Sequence, residues 1–375
     1  MPTLDLAMPF ALFIVITVAL LLNKRVEKKL IATVEQKEFK TRDIILLVAF
    51  IALMVLVIGF TAMYNPEGLF SNILLIMFLA SYTMLLFTFS YVFTNLTRQK
   101  AQLVSVAFGA ASLIMGVVSF LGAFNDALSI YRAAAFFVLS ALCFTVVAYE
   151  ARKTITKSRW YVAAQPPALF LMLFLFFAAF YNGTANLWFP YLMDAFAFTF
   201  ALLIILYLSS LFNWHTLLVF AAFLPILDII LVFSGPMVTA AKTFTGLGLP
   251  VLVFLPKIPI FLNSSGAIQL SGLGLGDFFF SGILVIQTFK KFDQKTALIS
   301  ALAIALSFGI WEAFLPEIDA YFNIGGFPAT VCIITGWLPV VALKLLITRN
   351  KPAPPFPPQV SSPAEMPNEP SLPME

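Results

Sequence analysis

Charge is scarce in this sequence. Of its 375 residues only 11% are Asp, Glu, Lys or Arg, while 61% are hydrophobic. So few charges cannot cover a soluble domain of this length, which excludes the soluble globular classes and points to a polytopic membrane protein. Cysteine is nearly missing. Cys143 and Cys332 lie in apolar runs too far apart in depth to pair, which excludes a disulfide framework and a cysteine-rich metal site. The single histidine, His215, argues against a zinc protease, whose sites want two or more histidines with acidic partners. It reads as an interface residue at the inner start of a helix. No internal repeat is visible, so the inverted-repeat signature of many transporters is absent. No metal or cofactor is implied, no nucleic-acid partner is expected, and the surroundings are membrane lipid.

Windows of about 17–25 apolar residues mark membrane helices. Eleven are expected, near residues 6–23, 44–63, 72–94, 102–124, 131–149, 161–181, 187–208, 214–234, 272–289, 297–315 and 325–347. The expected fold is therefore an all-α polytopic membrane protein of about 11 transmembrane helices. The first run has its basic block after it rather than before it, and reads as a retained helix, not a signal peptide. Loops such as NKRVEKKLIATVEQKEFKTRD, LTRQK, EARKTITKSRW and KKFDQK are rich in Lys and Arg. The alternate loops YNPEGLFSN, NDALSI, NGTAN and PEIDAYFN have neither, and segment 235–271 has only Lys242 and Lys257. The positive-inside rule then gives an N-terminus outside and a C-terminus in the cytoplasm. An odd helix count agrees. The absence of long soluble domains points to a prokaryotic plasma membrane. Three parts follow: residues 1–186 with six helices, a core at 187–347, and a Pro-rich tail at 348–375 expected to be disordered with polyproline II character.

Four acids fall within or near the ends of these helices: Asp194, Asp228, Asp277 and Glu312. A charge there costs about 2.5–3.5 kcal/mol or more, so something must compensate for it or use it. Asp228 and Asp277 are 49 residues apart in sequence. By helix rise both fall about 8–9 Å below the outer end. Facing carboxylates cannot both ionise cheaply, so one acid and one base coexist, as an aspartyl protease needs. Asp194 is a possible third carboxylate by depth; its other reading is an acid lining a wet cavity or bonded to Tyr191 or a neighbouring backbone. Glu312 reads as a residue snorkelling to the interface beside Glu317 and Asp319.

LGLGDFFFSGILVIQTFKKFD (residues 273–293) resembles the GxGD helix of the presenilin and signal peptide peptidase family. LDIILVFSGPMVTAAKTF (227–244) resembles that family's other aspartate helix, and FPATVCIITGWLP (327–339) its final helix with a Pro-Ala-Leu motif. The resemblance covers about 187–347 and implies intramembrane proteolysis of transmembrane or signal-peptide helices, with Asp228 and Asp277 as the catalytic pair. It also implies that Gly274, Gly276, Leu227, Pro328, Ala329 and Thr330 shape the cleft. Two positions depart from the pattern: Leu227 stands where the family has Tyr, and Thr330 where it has Leu. Both bear on substrate fit and rate. Pro167-Ala168-Leu169 also spells the final motif, but at the inner face, far from the two aspartates. The charge pattern matches the signal-peptide-peptidase-like orientation, which favours substrates with the N-terminus inside. A nine-helix family core leaves two additional helices near the N-terminus.

Gly272, Gly274 and Gly276 let backbone and water approach Asp277, and they weaken the expected helix start by roughly 0.5–1 kcal/mol each. The other reading of these glycines is tight helix packing. In 235–271, prolines and β-branched residues suit an extended chain. Val251–Leu255 and Ile258–Leu262 are expected to form a platform that, by the resemblance, holds an unwound substrate; a re-entrant interfacial segment is the alternative. For function, two alternatives stand beside the protease: a cation- or proton-coupled transporter using three acids at one depth, and an inactive family member that binds membrane helices.

Overall fold

A computed structural model of the chain describes residues 5–33, 38–64, 69–122, 128–152, 159–181, 191–246, 250–262, 266, 268–322 and 327–349. The Pro-rich tail from Lys351 onward lies outside the described residues. The helices are α1 (Ala7–Thr33), α2 (Thr41–Tyr64), α3 (Leu69–Val92), α4 (Arg98–Gly122), α5 (Leu128–Arg152), the short α6 (Trp160–Ala163), α7 (Gln165–Tyr181), α8 (Met193–Leu208), α9 (Trp214–Phe233), α10 (Pro236–Gly246), α11 (Leu275–Lys291), α12 (Gln294–Phe322) and α13 (Ala329–Arg349). Two strands, β1 (Leu252–Pro256) and β2 (Leu270–Gly274), lie between α10 and α11. Each of the eleven expected windows overlaps helical structure, one of them two helices. Among the described residues, eight helices are long and apolar enough to cross a membrane; shorter apolar stretches at 76–92 and 193–208 belong to α3 and α8. The all-α polytopic class expected from composition holds.

The hub is α11. Its residues from Phe280 to Thr288 are all buried, and it packs against α1, α8, α9, α12 and α13. A helix surrounded by other helices keeps few polar positions, and in this stretch only Ser281, Gln287 and Thr288 are polar. Gly282 allows a close approach to α8: a Cβ there would stand 2.6 Å from Ile205. Internal polar groups pair. Gln287 donates to the carbonyls of Ser209 and Phe212, both at 2.8 Å, which satisfies backbone left open where α8 ends. The Trp337 indole donates to Thr288 at 2.9 Å. Asn213 and Thr216 form a capping box that starts α9.

The α4–α5 hairpin stands to one side. Its seam is a stripe of small residues, Ser105, Gly109, Ser112, Gly116 and Ser119, spaced for one helix face. Phe144 lies against Gly109 and Phe137 against Gly116, and Ser140 donates to the Gly109 carbonyl at 2.9 Å. Small residues let two helices approach closely. A polar knot ties the hairpin to α6: Arg159 pairs with Glu150 at 3.1 Å and donates to the Leu96 carbonyl at 2.7 Å, and the Tyr161 hydroxyl also meets Glu150.

Four expectations need correction. Segment 235–271 is not extended throughout: Pro236–Gly246 forms the helix α10, with Pro236 at its first position, where a missing N–H costs nothing. The helix expected from residue 272 begins at Leu275, because 270–274 pair as a strand with β1: Val253 sits opposite Leu273 and Phe254 opposite Gly272. Of the two platform segments, 251–255 is largely β1. Ile258–Leu262 is not a strand, having only a bridge from Leu262 to Ile268. The true partner of β1 is the glycine-rich stretch itself. The single window 161–181 is divided into α6 and α7, where Pro166 and Pro167 lack the N–H groups a continuous helix would use. Cys143 and Cys332 are buried and unpaired, as expected.

Candidate active site

Asp228 lies five residues before the end of α9, three residues after the internal Pro225. Asp277 lies in the first turn of α11, directly after β2. The two carboxylates line one cavity of about 660 Å³ and are near enough to feel each other's charge. Leu252 and Phe254 of β1 and Gly272 and Gly274 of β2 also face it. On a strand alternate residues share a face, which puts Leu252 and Phe254 on one side of β1; on β2 Leu273 reaches the cavity as well. Val232, Met237, Phe308, Trp311 and Phe327 make the rest of the lining mostly apolar, with Trp311 and Phe327 stacked at 5.1 Å.

The glycines of the motif differ. A Cβ at Gly274 would stand 3.1 Å from Asp277 Oδ2, so any side chain there presses on the carboxylate. At Gly276 an added Cβ would meet only the Phe279 ring, at an ordinary 3.7 Å. The structure thus gives Gly274 a steric reason and Gly276 none. Ala329 opens α13 and lines the cavity, with buried Pro328 just before it. Thr330 is 5% exposed; its hydroxyl donates to Asp228 Oδ2 at 2.6 Å, and its amide points to the same oxygen at 3.4 Å. Leu227 is half-buried against the apolar core.

Asp194 is elsewhere. It is buried in the first turn of α8 and accepts the Phe254 N–H of β1 at 2.8 Å. It does not line the cavity. Of its two readings, the structure matches the carboxylate bonded to backbone, but to a strand 60 residues away rather than to Tyr191 or a neighbour.

Two acids were not legible in these roles. Glu312, expected at the interface, lines the cavity beside Asp5 and Ser271, near Lys257, and its Oε2 is buried without a hydrogen-bond partner. Asp5 is 1% exposed and accepts from the amides of Ala7 at 3.0 Å and Ile258 at 2.9 Å, and from the Ser271 hydroxyl at 2.7 Å. It stitches the start of α1 to the strands. An Asp just ahead of an apolar run is a helix-start signal, and that was the available clue. Nothing local marks Glu312.

At the opposite end, Lys290 pairs with Glu27. Asp293 accepts the Thr296 amide at 2.7 Å, capping α12, and pairs with Lys344 of α13 at 2.6 Å. The Lys344 hydrogen bond, helped by the Thr296 amide, holds the exposed Asp293 carboxyl well below the usual carboxylate range.

A family model described as signal peptide peptidase matches residues 31–324. The chain belongs to the signal peptide peptidase family. No curated protein matches it. Membership together with the apolar helices makes this an integral, multi-pass membrane protein of an intramembrane protease family. The span matched to the signal peptide peptidase model includes both α9 and α11. It ends before Pro328, so α13 with Thr330 lies beyond it, as does most of α1.

Proposed function

We propose that this protein is an intramembrane aspartyl protease in which Asp228 and Asp277 activate water to cut a peptide bond within a transmembrane or signal-peptide helix. The observation that carries the reading is the meeting of these two carboxylates, from separate helices, in one largely apolar cavity of a signal peptide peptidase family member. One carboxylate takes a proton from water as the water oxygen bonds to the amide carbon. The other, protonated, donates to the carbonyl oxygen. The resulting tetrahedral diol collapses as the first carboxylate passes its proton to the nitrogen and the C–N bond breaks. The proton on the diol oxygen returns to the second carboxylate as the new acid forms.

A helical peptide bond is shielded, so the substrate must unwind first. The sheet register supports an extended mode of binding. Leu275 N–H bonds the Val251 carbonyl and Lys257 N–H the Gln269 carbonyl, so 251, 253, 255 and 257 bond inward to β2. Residues 252, 254 and 256 then turn their backbone outward, and Asp194 occupies the Phe254 N–H on that side. The edge of β2, where Gly272 carries no side chain, is left for an added strand, and it leads directly to Asp277. The charge pattern supports an orientation with this end of the bundle outside and the C-terminus in the cytoplasm, and so substrates with the N-terminus inside. The transporter reading loses support, since Asp194 is committed to backbone.

The test is cleavage of a labelled single-helix substrate by the purified protein in liposomes. Cleavage within the helix, absent in Asp228→Ala and in Asp277→Ala, is expected. Cleavage that survives either substitution would remove the dyad, and a parent inactive on several helices with weak N-terminal turns would remove the protease.

A further inference from the structure

Thr330 occupies the position where the resembled motif has leucine. It is the second residue of α13, where backbone N–H groups have no partner within the helix. Its hydroxyl at 2.6 Å and its amide at 3.4 Å converge on a single oxygen of Asp228. Two donors on one oxygen restrict rotation of the carboxylate, and only the hydroxyl is at good hydrogen-bonding distance. A leucine here would leave the long amide contact alone. Asp277 is held differently, by backbone of its own strand–helix junction around Gly274. The two carboxylates thus have separate supports, one on α13 and one on α11.

We propose that Thr330 is a positioning residue for Asp228: its hydroxyl, in place of an apolar side chain, fixes the carboxylate at the start of α13 so that the free oxygen faces the reacting water. The inference rests on the protease reading. The other cavity groups, Glu312 and Asp277, do not touch this oxygen in any hydrogen bond seen among the described residues. Thr330 is buried and does not line the cavity, whereas its neighbour Ala329 does. Its effect is therefore expected on the chemical step and not on substrate binding.

The experiment is initial-rate kinetics of the full chain in liposomes on a labelled single-helix peptide, for the parent, Thr330→Val, Thr330→Ser and Thr330→Leu, with Asp228→Ala and Asp277→Ala alongside. Valine keeps the shape and loses the hydroxyl; serine keeps the hydroxyl. In Thr330→Val and Thr330→Leu, kcat falls by roughly tenfold to a hundredfold with KM within about twofold, as expected for loss of a hydrogen bond to a charged group. Thr330→Ser stays within about threefold of the parent in kcat, since it keeps that bond. A hydroxyl-bearing mimic of the tetrahedral diol should lose affinity for Thr330→Val in step with kcat. If Thr330→Val does not fold, as judged by its melting temperature, Thr330→Ala replaces it. Equal kcat in Val and parent, or equal loss in Ser and Val, overturns the proposal while inactive aspartate variants leave the protease reading standing. Active aspartate variants, or an inactive parent, overturn both.

Discussion

The α4–α5 hairpin and the cluster of α9, α11 and α13 are both drawn from apolar sequence and handle buried polar groups in different ways. In the hairpin the hydroxyls of Ser112 and Ser119 are buried with no hydrogen-bond partner, and the helices simply close over them. In the cluster, Asp228 and Asp277 are kept open to a cavity. Asp228 is supported by Thr330, 102 residues away, and Asp277 by its own strand–helix junction. A hydroxyl can be shut into a tight seam at a cost of about 1–3 kcal/mol, whereas a lone carboxylate cannot. Glycine also has different uses in the two places. In the hairpin it admits an aromatic ring from the next helix. At Gly274 it leaves room for a carboxylate oxygen.

The sharpest way to break the contrast is at Gly274. Gly274→Val pushes a side chain into Asp277, and kcat/KM should fall by about a hundredfold or more, given what a 1 Å misplacement costs. Gly276→Ala, tested in the same cleavage assay, should stay within about threefold, because an added Cβ meets only an ordinary contact. Equal losses at the two positions would contradict the steric account. Asp194 comes next. Asp194→Ala releases the Phe254 amide and should lower kcat/KM by about tenfold, while Asp194→Asn, which still accepts from that amide, should stay close to the parent. A dead Asp194→Asn would instead give the Asp194 carboxylate a titrating part in cleavage; only ion flux that depends on Asp194 would revive the transport reading.

Smaller effects are expected away from the cavity. The Asp293 carboxyl is depressed by Lys344, so its folded value lies below its unfolded one. Its stabilisation is then fully present above the unfolded value, about pH 3.9, and disappears as the pH falls through the folded value. The melting temperature of Asp293→Asn should lie slightly below the parent at neutral pH. The gap should close only in strong acid, and high salt should narrow it because the pair is partly open to solvent. A gap that closes near neutrality would assign the effect to another group. The smallest effect belongs to the hairpin seam. Ser119→Ala removes an unpaired hydroxyl and should leave activity unchanged and stability equal or higher by up to about 1 kcal/mol in thermal unfolding.

Much of the fold could be read along the chain because hydropathy is additive over a window. The expected windows overlap helical structure, and the extended character of 251–255 followed from its β-branched residues and flanking prolines. The glycine-rich strand β2 was missed for a physical reason. LSGLG has no side-chain alternation to mark a strand, and it abuts an apolar helix, so it read as that helix's frayed start. Its pairing with β1 alone makes it a strand. The two aspartates stood out because carboxylates in apolar windows are rare and the surrounding motifs resemble a known family. Glu312 did not stand out, because distance along α12 cannot tell a side chain facing lipid headgroups from one facing a cavity.

The sequence by itself determined the membrane class, most of the helices, the family, and the two acids in register with its motifs. These follow from composition and from spacing within single segments. The tertiary structure alone decided what each acid touches. Asp194 meets a strand 60 residues away, Asp228 a hydroxyl 102 residues away, and Asp5 an amide 253 residues away. In a low-dielectric bundle those contacts decide whether a carboxylate anchors backbone, joins α1 to the strands or faces a cavity, and no window along the chain contains both partners.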